Sequence, residues 1–223
     1  MFTNFQIEAE EELMRHPQLT WTLIRVGIFL DHLTMPFNPK PTYITPYWVF
    51  VDIEHEECVF PGDGSQPLVL THSTDLAAYI ECLVGLPANE WPQESLVASN
   101  KIQVKDLQSL IKKTTGTHCG PLGICIRTFL ILAIGREFKV TYDSVESIHK
   151  GQITPLTSNR PVFDDPQKGK LFQEVEIQVM LSMLSNAHDL PGKNLAERFP
   201  EVHVTNIEDF LRAGWEMKQG LKP

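Results

Sequence analysis

Positive charge is scarce where this sequence begins. Residues 1–100 hold three Lys or Arg against 14 Asp or Glu, whereas residues 101–223 hold 16 against 14. So acidic a front half repels a phosphate backbone, which argues against a nucleic-acid partner. Long apolar runs are missing too: none reaches the ~20 residues of a membrane-spanning helix, so no membrane partner is expected. The opening MFTNFQIEAEEELMRHP has neither a basic n-region nor an apolar h-region, and no secretory leader is expected there. Cysteine is sparse. Cys58, Cys82, Cys119 and Cys125 read as reduced thiols, and the expected compartment is the cytoplasm. No G-x-G-x-x-G loop and no G-x-S-x-G elbow occurs, which removes the usual phosphate cradle and the usual serine nucleophile. His118, Cys119 and Cys125 lack a second ligand pair, so no metal site is expected.

What is present is ordinary globular material: 42% hydrophobic, 21% charged, net charge −9. Such a composition can bury a single core. Residues 1–14 read as an amphipathic helix with Phe5, Ala9 and Leu13 on one face, closed by Pro17. Strands are expected at 20–27, 48–53, 58–60, 68–71, 95–98 and 138–142, where β-branched and aromatic residues cluster. Pro61-Gly62-Asp63-Gly64 is a strong turn signal. Helices are expected at 73–85, with Ser73 or Thr74 as cap, at 104–114, 144–150 and 168–187, and at a last one capped by Thr205. The 73–85 helix presents Leu76, Tyr79, Ile80 and Leu83 on one face, and the 168–187 helix has Leu171, Val175, Val179, Leu181 and Leu184 on one flank. Strands alternating with helices make the fold class α/β.

Several separated stretches then carry a resemblance. They are LTWTLIRVGIFLD (19–31), FPGDGSQPLVLTHSTDLAAYI (60–80), ESLVAS (94–99), GREFKVTYDSVESIHKGQI (135–153) and FPEVHVTNIEDFLRAGW (199–215). In order and spacing the chain resembles the fungal NmrA-like proteins, relatives of plant isoflavone reductases among the atypical short-chain dehydrogenases. The resemblance implies an incomplete Rossmann-like fold over 1–223, the C-terminal, substrate-side half with mixed strands and helices. In that family a nucleotide-binding half with its glycine-rich loop comes before the strand at 19–31; here only eighteen residues do.

By the same resemblance the cofactor is NADP or NAD, and Val26, Gly27, Ile28 and Phe29 form the floor beneath the nicotinamide. A glycine there permits close approach of a ligand, or simply a tight strand-to-loop turn. Asp31 and His32 follow at the pocket mouth, and His32 is the candidate proton donor because imidazole titrates near neutral pH. Tyr43, Tyr47 and Trp48 either line an aromatic pocket, which would make Tyr47 and Trp48 substrate-binding, or pack in the core. The lysine that the reductases place before this strand falls near Gln6 or Ile7 here, neither of which titrates near pH 7.

The implied function is NAD(P)-dependent reduction of a small metabolite, of the kind used in fungal secondary metabolism. The alternatives are a non-catalytic dinucleotide-sensing regulator that binds a protein partner or forms an oligomer, and an inactive truncated product. Residues 117–134 interrupt the resemblance with an apolar stretch that carries Arg127. They are an added element, a partner-binding patch, or translated intron. The last is the reading that their deletion supports, since it restores the family's continuity.

Overall fold

Leu23–Val26 (β1) runs parallel to Glu94–Val97 (β6), with Val26 opposite Val97. At Gly27 the chain shifts to a new neighbour, and Ile28–Phe29 (β2) lies parallel to Pro67–Thr71 (β5). The other edge of β5 is antiparallel to Asn100–Gln103 (β7). A further sheet sets Val51–Asp52 (β3) antiparallel to Glu57–Pro61 (β4), and β4 parallel to Lys139–Asp143 (β8). These elements come from a computed structural model that describes residues 2–115, 138–190 and 192–221. The apolar segment 117–134, with His118, Cys119 and Cys125, lies outside the described residues.

Eight helices are described: Phe2–Met14 (α1), Ser73–Val84 (α2), Asp106–Thr115 (α3), Val145–His149 (α4), Arg160–Phe163 (α5), Gly169–Leu184 (α6), Leu195–Arg198 (α7) and Ile207–Lys218 (α8). The result is the mixed α/β architecture that the alternation of strand and helix signals predicts. Among the described residues no helix is long and apolar enough to cross a membrane.

The largest core cluster joins Leu30 and Leu33, just past β2, to Phe60, Leu68 and Leu70 of the sheets and to Leu107, Ile111, Phe210 and Leu211 of α3 and α8. Each is at most 3% exposed. Burying one such side chain contributes about 1.5–3 kcal/mol before chain entropy is set against it. Helix α8 is tied down by a polar bond as well: buried Asp75 accepts from the Thr205 backbone N–H at 2.6 Å and from the Thr205 hydroxyl at 2.8 Å. Lys40 Nζ lies 3.6 Å from the same carboxylate.

Local expectations are corrected at several points. Helix α2 is capped by neither Ser73 nor Thr74 but by His72, whose ring Nδ1 accepts from the Thr74 N–H. Asn206, not Thr205, caps α8, accepting from the N–H groups of Glu208 and Asp209 at 2.9 and 3.2 Å. The strand expected at 48–53 shrinks to two residues because Phe50 adopts φ +62°. Ile80 is 38% exposed, and Leu171 is 61% exposed. The buried side of α6 is Gly169, Glu176, Met180 and Met183. The Asn206 cap supports a direct test. Asn206→Ala is expected to destabilise the chain by about 1 kcal/mol, read as a lower urea midpoint at unchanged slope.

Candidate active site

Strand β1 delivers Val26 to the rim of a cleft of about 570 Å³, whose far wall is α6. Val175, Gln178, Val179 and Ser182 of that helix line it, and His188 closes one side. The wall is amphipathic because α6 turns its Met180–Met183 side into the core and leaves Val175 and Val179 at the cleft. Among the described lining residues His188 is the one titratable side chain. Its Nε2 sits 3.0 Å from Ser182 Oγ. The Ser182 hydroxyl donates its own hydrogen to the Val179 carbonyl at 2.7 Å. Nε2 therefore carries the imidazole hydrogen, and Nδ1 is the atom at which a proton can arrive or leave. Burial holds the His188 pKa below the usual histidine value.

Gly27, next to Val26, has no room for a side chain. A Cβ built there would lie 2.0 Å from the Val69 carbonyl oxygen of β5. The glycine is thus accounted for by one strand crossing close over another. Ile28 packs against the main core, and half-buried Phe29 leads into the 3₁₀ turn Leu30–Leu33.

Asp31 lies in that turn and is wholly buried. It accepts from the Thr42 hydroxyl at 2.7 Å, from the Ser73 hydroxyl at 2.6 Å and from the Ser73 N–H at 2.9 Å. Burial pushes its pKa up, but those donors from Ser73 and Thr42, with nearby His72, outweigh it and hold the carboxyl below its ordinary value. His72 Nε2 is 3.5 Å from Asp31 Oδ1. Through the two Ser73 bonds the carboxylate ties the β2 turn to the start of α2.

The other expected substrate contacts lie apart from the Val26 cleft. His32 Nδ1 donates to the Tyr47 carbonyl at 2.6 Å, and burial holds its pKa down. The Tyr47 ring packs 5.9 Å from that of Phe172, and its hydroxyl donates to Glu176 at 2.8 Å. Trp48 Nε1 donates to the Met35 carbonyl, and its ring joins the cluster around Val59, Ile148, Leu156 and Met180. Tyr43 stands 91% exposed.

Two titratable residues, His188 at the cleft and Glu176 on the core side of α6, escape sequence reasoning. Nothing local singles out His188. Glu176 had a readable signal, because it shares the i, i+4, i+7 stripe with Met180 and Met183 and so sits where an apolar residue belongs. Only 7% exposed, it has its pKa pushed up to about 7 by burial. Tyr47's hydrogen bond works against that shift, and nearby Asp143 reinforces it.

A dinucleotide fits these residues in part. The apolar Val26 rim suits a nicotinamide ring. For the pyrophosphate, the residues described offer no glycine-rich turn leading into a helix: Gly62 and Gly64, at φ +60° and +73°, lead into strand β5 instead. No step below is therefore routed through the cofactor.

Comparison with known proteins follows the same lines. No protein-family profile matches the chain. It is 96% identical over all 223 residues to the oxidoreductase swnN of Arthroderma benhamiae, spanning 70% of that protein. To the oxidoreductase swnN of Metarhizium robertsii it is 69% identical over its full length, covering 60% of that protein. Among solved structures, isoflavone reductase matches 92% of this chain and 55% of its own at TM-score 0.55 and 13% identity. The complex of leucoanthocyanidin reductase with NADPH from Vitis vinifera matches 93% and 58% at TM-score 0.53 and 11% identity. The structural likeness defines a Rossmann-like reductase fold. The chain belongs to the NmrA-like and isoflavone-reductase-like family of oxidoreductases. It spans little more than half the length of those solved structures.

Proposed function

We propose that this chain is the substrate-side half of an NAD(P)-dependent reductase acting on a small metabolite, in the manner of fungal secondary metabolism. The observation that carries this reading is the position of Val26. It lies on the strand that the family resemblance assigns to the nicotinamide floor, and it lines a cleft shared with α6. A bound NAD(P)H would supply hydride. The chain's own contribution is an apolar enclosure, the Gln178 amide as an orienting group, and a proton carried at His188 Nδ1. His188 takes this role because the position near Gln6 or Ile7 holds no lysine, and because no other side chain lining the described cleft titrates.

The test restores to the chain the remainder of the 96% identical relative's sequence. Calorimetry with NADPH and NADH should then give micromolar binding. Oxidation of NADPH should follow the addition of some member of a panel of small aromatic carbonyl compounds. The rate of reduction should fall as pH rises through the depressed His188 pKa, below 6.5, because the imidazolium is the proton source. His188→Asn should abolish that inflection while leaving nucleotide affinity unchanged. Nucleotide binding without turnover, altered by a protein partner, would instead assign the chain to a dinucleotide-sensing regulator.

A further inference from the structure

A second cleft, of about 700 Å³, opens at the C-terminal end of α6, where the turn before β5 meets α4. Asp63, Ser65 and Gln66 form one polar side, Ser144, His149 and Ser185 line it as well, and its apolar side is Val145, Leu181 and Leu184. Gln66 is 9% exposed, yet its Oε1 has no hydrogen-bond partner among the described residues. A buried carbonyl left this way is costly, and such a group calls for an explanation. Exchanging the amide's oxygen and nitrogen does not relieve it. Nε2 lies 3.5 Å from Asp63 Oδ1, so the exchange would set a carbonyl oxygen against a carboxylate. The orphaned atom is an acceptor, and it needs a donor.

Asp63 stands beside it as a second acceptor. Its Oδ1 takes the Ser65 hydroxyl at 2.6 Å and the Ser65 N–H at 2.9 Å. Those bonds, with Lys105 in reach electrostatically, keep the group a carboxylate at neutral pH. The turn is shaped for this arrangement. Gly62 holds φ +60°, and a Cβ there would meet Gln66 Nε2 and Leu184 Cδ2 at 3.0 Å each. Val145, 48% exposed, adds apolar surface beside the two acceptors.

A neutral acceptor in the floor, an anionic one at the rim and a leucine wall together select a donor that is positively charged and carries an apolar body. We propose that this cleft binds a small organic ammonium ion, through Gln66 Oε1 and the Asp63 carboxylate, with its hydrocarbon part against Leu181 and Leu184. The site meets the Val26 cleft at Leu181 and Ser185, which line both, but does not depend on the reductase reading.

The experiment titrates 2-phenylethylammonium chloride into the 223-residue chain, without nucleotide, by calorimetry. Its neutral counterpart 2-phenylethanol and the anion 3-phenylpropanoate serve as comparisons. The expected result is saturable one-to-one binding of the ammonium, with the alcohol at least tenfold weaker and the anion not bound. Asp63→Asn should weaken the ammonium at least tenfold. Gln66→Met should do the same while leaving the thermal midpoint equal or higher, because it removes an unsatisfied buried carbonyl that a purely structural glutamine would not present. Asp63 is exposed in a turn, so Asp63→Asn carries the test even where Gln66→Met fails to fold. The proposal is overturned by the absence of saturable ammonium binding, by equal binding of the alcohol, or by wild-type affinity in Asp63→Asn.

Discussion

Gly27→Ala is expected to remove at least about 4 kcal/mol of stability, most of what a domain this size has to lose. The added methyl would sit 2.0 Å from the Val69 carbonyl oxygen, 2.7 Å from its carbon and 2.8 Å from Val69 Cβ. The first two are backbone atoms of a strand whose Leu68 and Leu70 are wholly buried, so β5 cannot swing aside. Relief has to come from separating β2 from β5. That breaks the pairing of Ile28 with Leu70 and unseats Leu30 and Leu33, which the next turn drives into the main core. Shortening the neighbour does not help: Val69→Gly clears the Cβ contact but leaves the carbonyl, so the double variant should remain as unstable as Gly27→Ala. Urea denaturation followed by circular dichroism reads both variants. A Gly27→Ala chain with a midpoint near that of the unaltered protein would show that the strands part easily, and the packing account of this glycine would fall.

The same neighbourhood shows why some of the fold was legible and some was not. Strand and helix identities follow from local pattern, so β4, β5, β8 and α2 appear near their expected places. The caps fail because distant partners intervene. The Ser73 hydroxyl, suited to capping α2, is taken by Asp31, 42 residues away in sequence, and His72 caps instead. Thr205 is drawn to Asp75, 130 residues away, and leaves the cap of α8 to Asn206. Strand β7 is not legible in the sequence because Asn100–Gln103 is a partly exposed segment without the apolar alternation that marks a strand. In the candidate site Val26 was found through the resemblance. His188 and Gln66 have no local signature, since each acquires meaning only where α6 meets another element. On α6 the apolar flank that residue type suggests includes Leu171 and omits Glu176, although its Leu181 and Leu184 do pack against a core cluster. Tertiary contacts expose Leu171 and bury the acid beside Tyr47.

That buried acid gives the second large effect, and its sign is the opposite of the first. Glu176 has its pKa raised from 4.5 to about 7 in the folded chain. Between those values the folded state holds a proton that the unfolded state has released. Stability is therefore full below pH 4.5 and is lost as pH rises through 7, by about 3 kcal/mol in all at 1.36 kcal/mol per pKa unit. Glu176→Gln removes the titration while keeping an oxygen to accept the Tyr47 hydroxyl. The variant should match the parent near pH 4.5 and exceed it by about 3 kcal/mol at pH 8, an unusual gain from one uncharged substitution. Tyr47→Phe should act the other way on the same curve: without the donor that favours the carboxylate, the loss of stability with rising pH becomes steeper. Urea midpoints at pH 5 and pH 8 separate these outcomes. Parallel pH dependence in the parent and Glu176→Gln would mean that the carboxyl ionises without cost where it lies, and the buried Tyr47–Glu176 pair could not then be the source of pH sensitivity on the core side of α6.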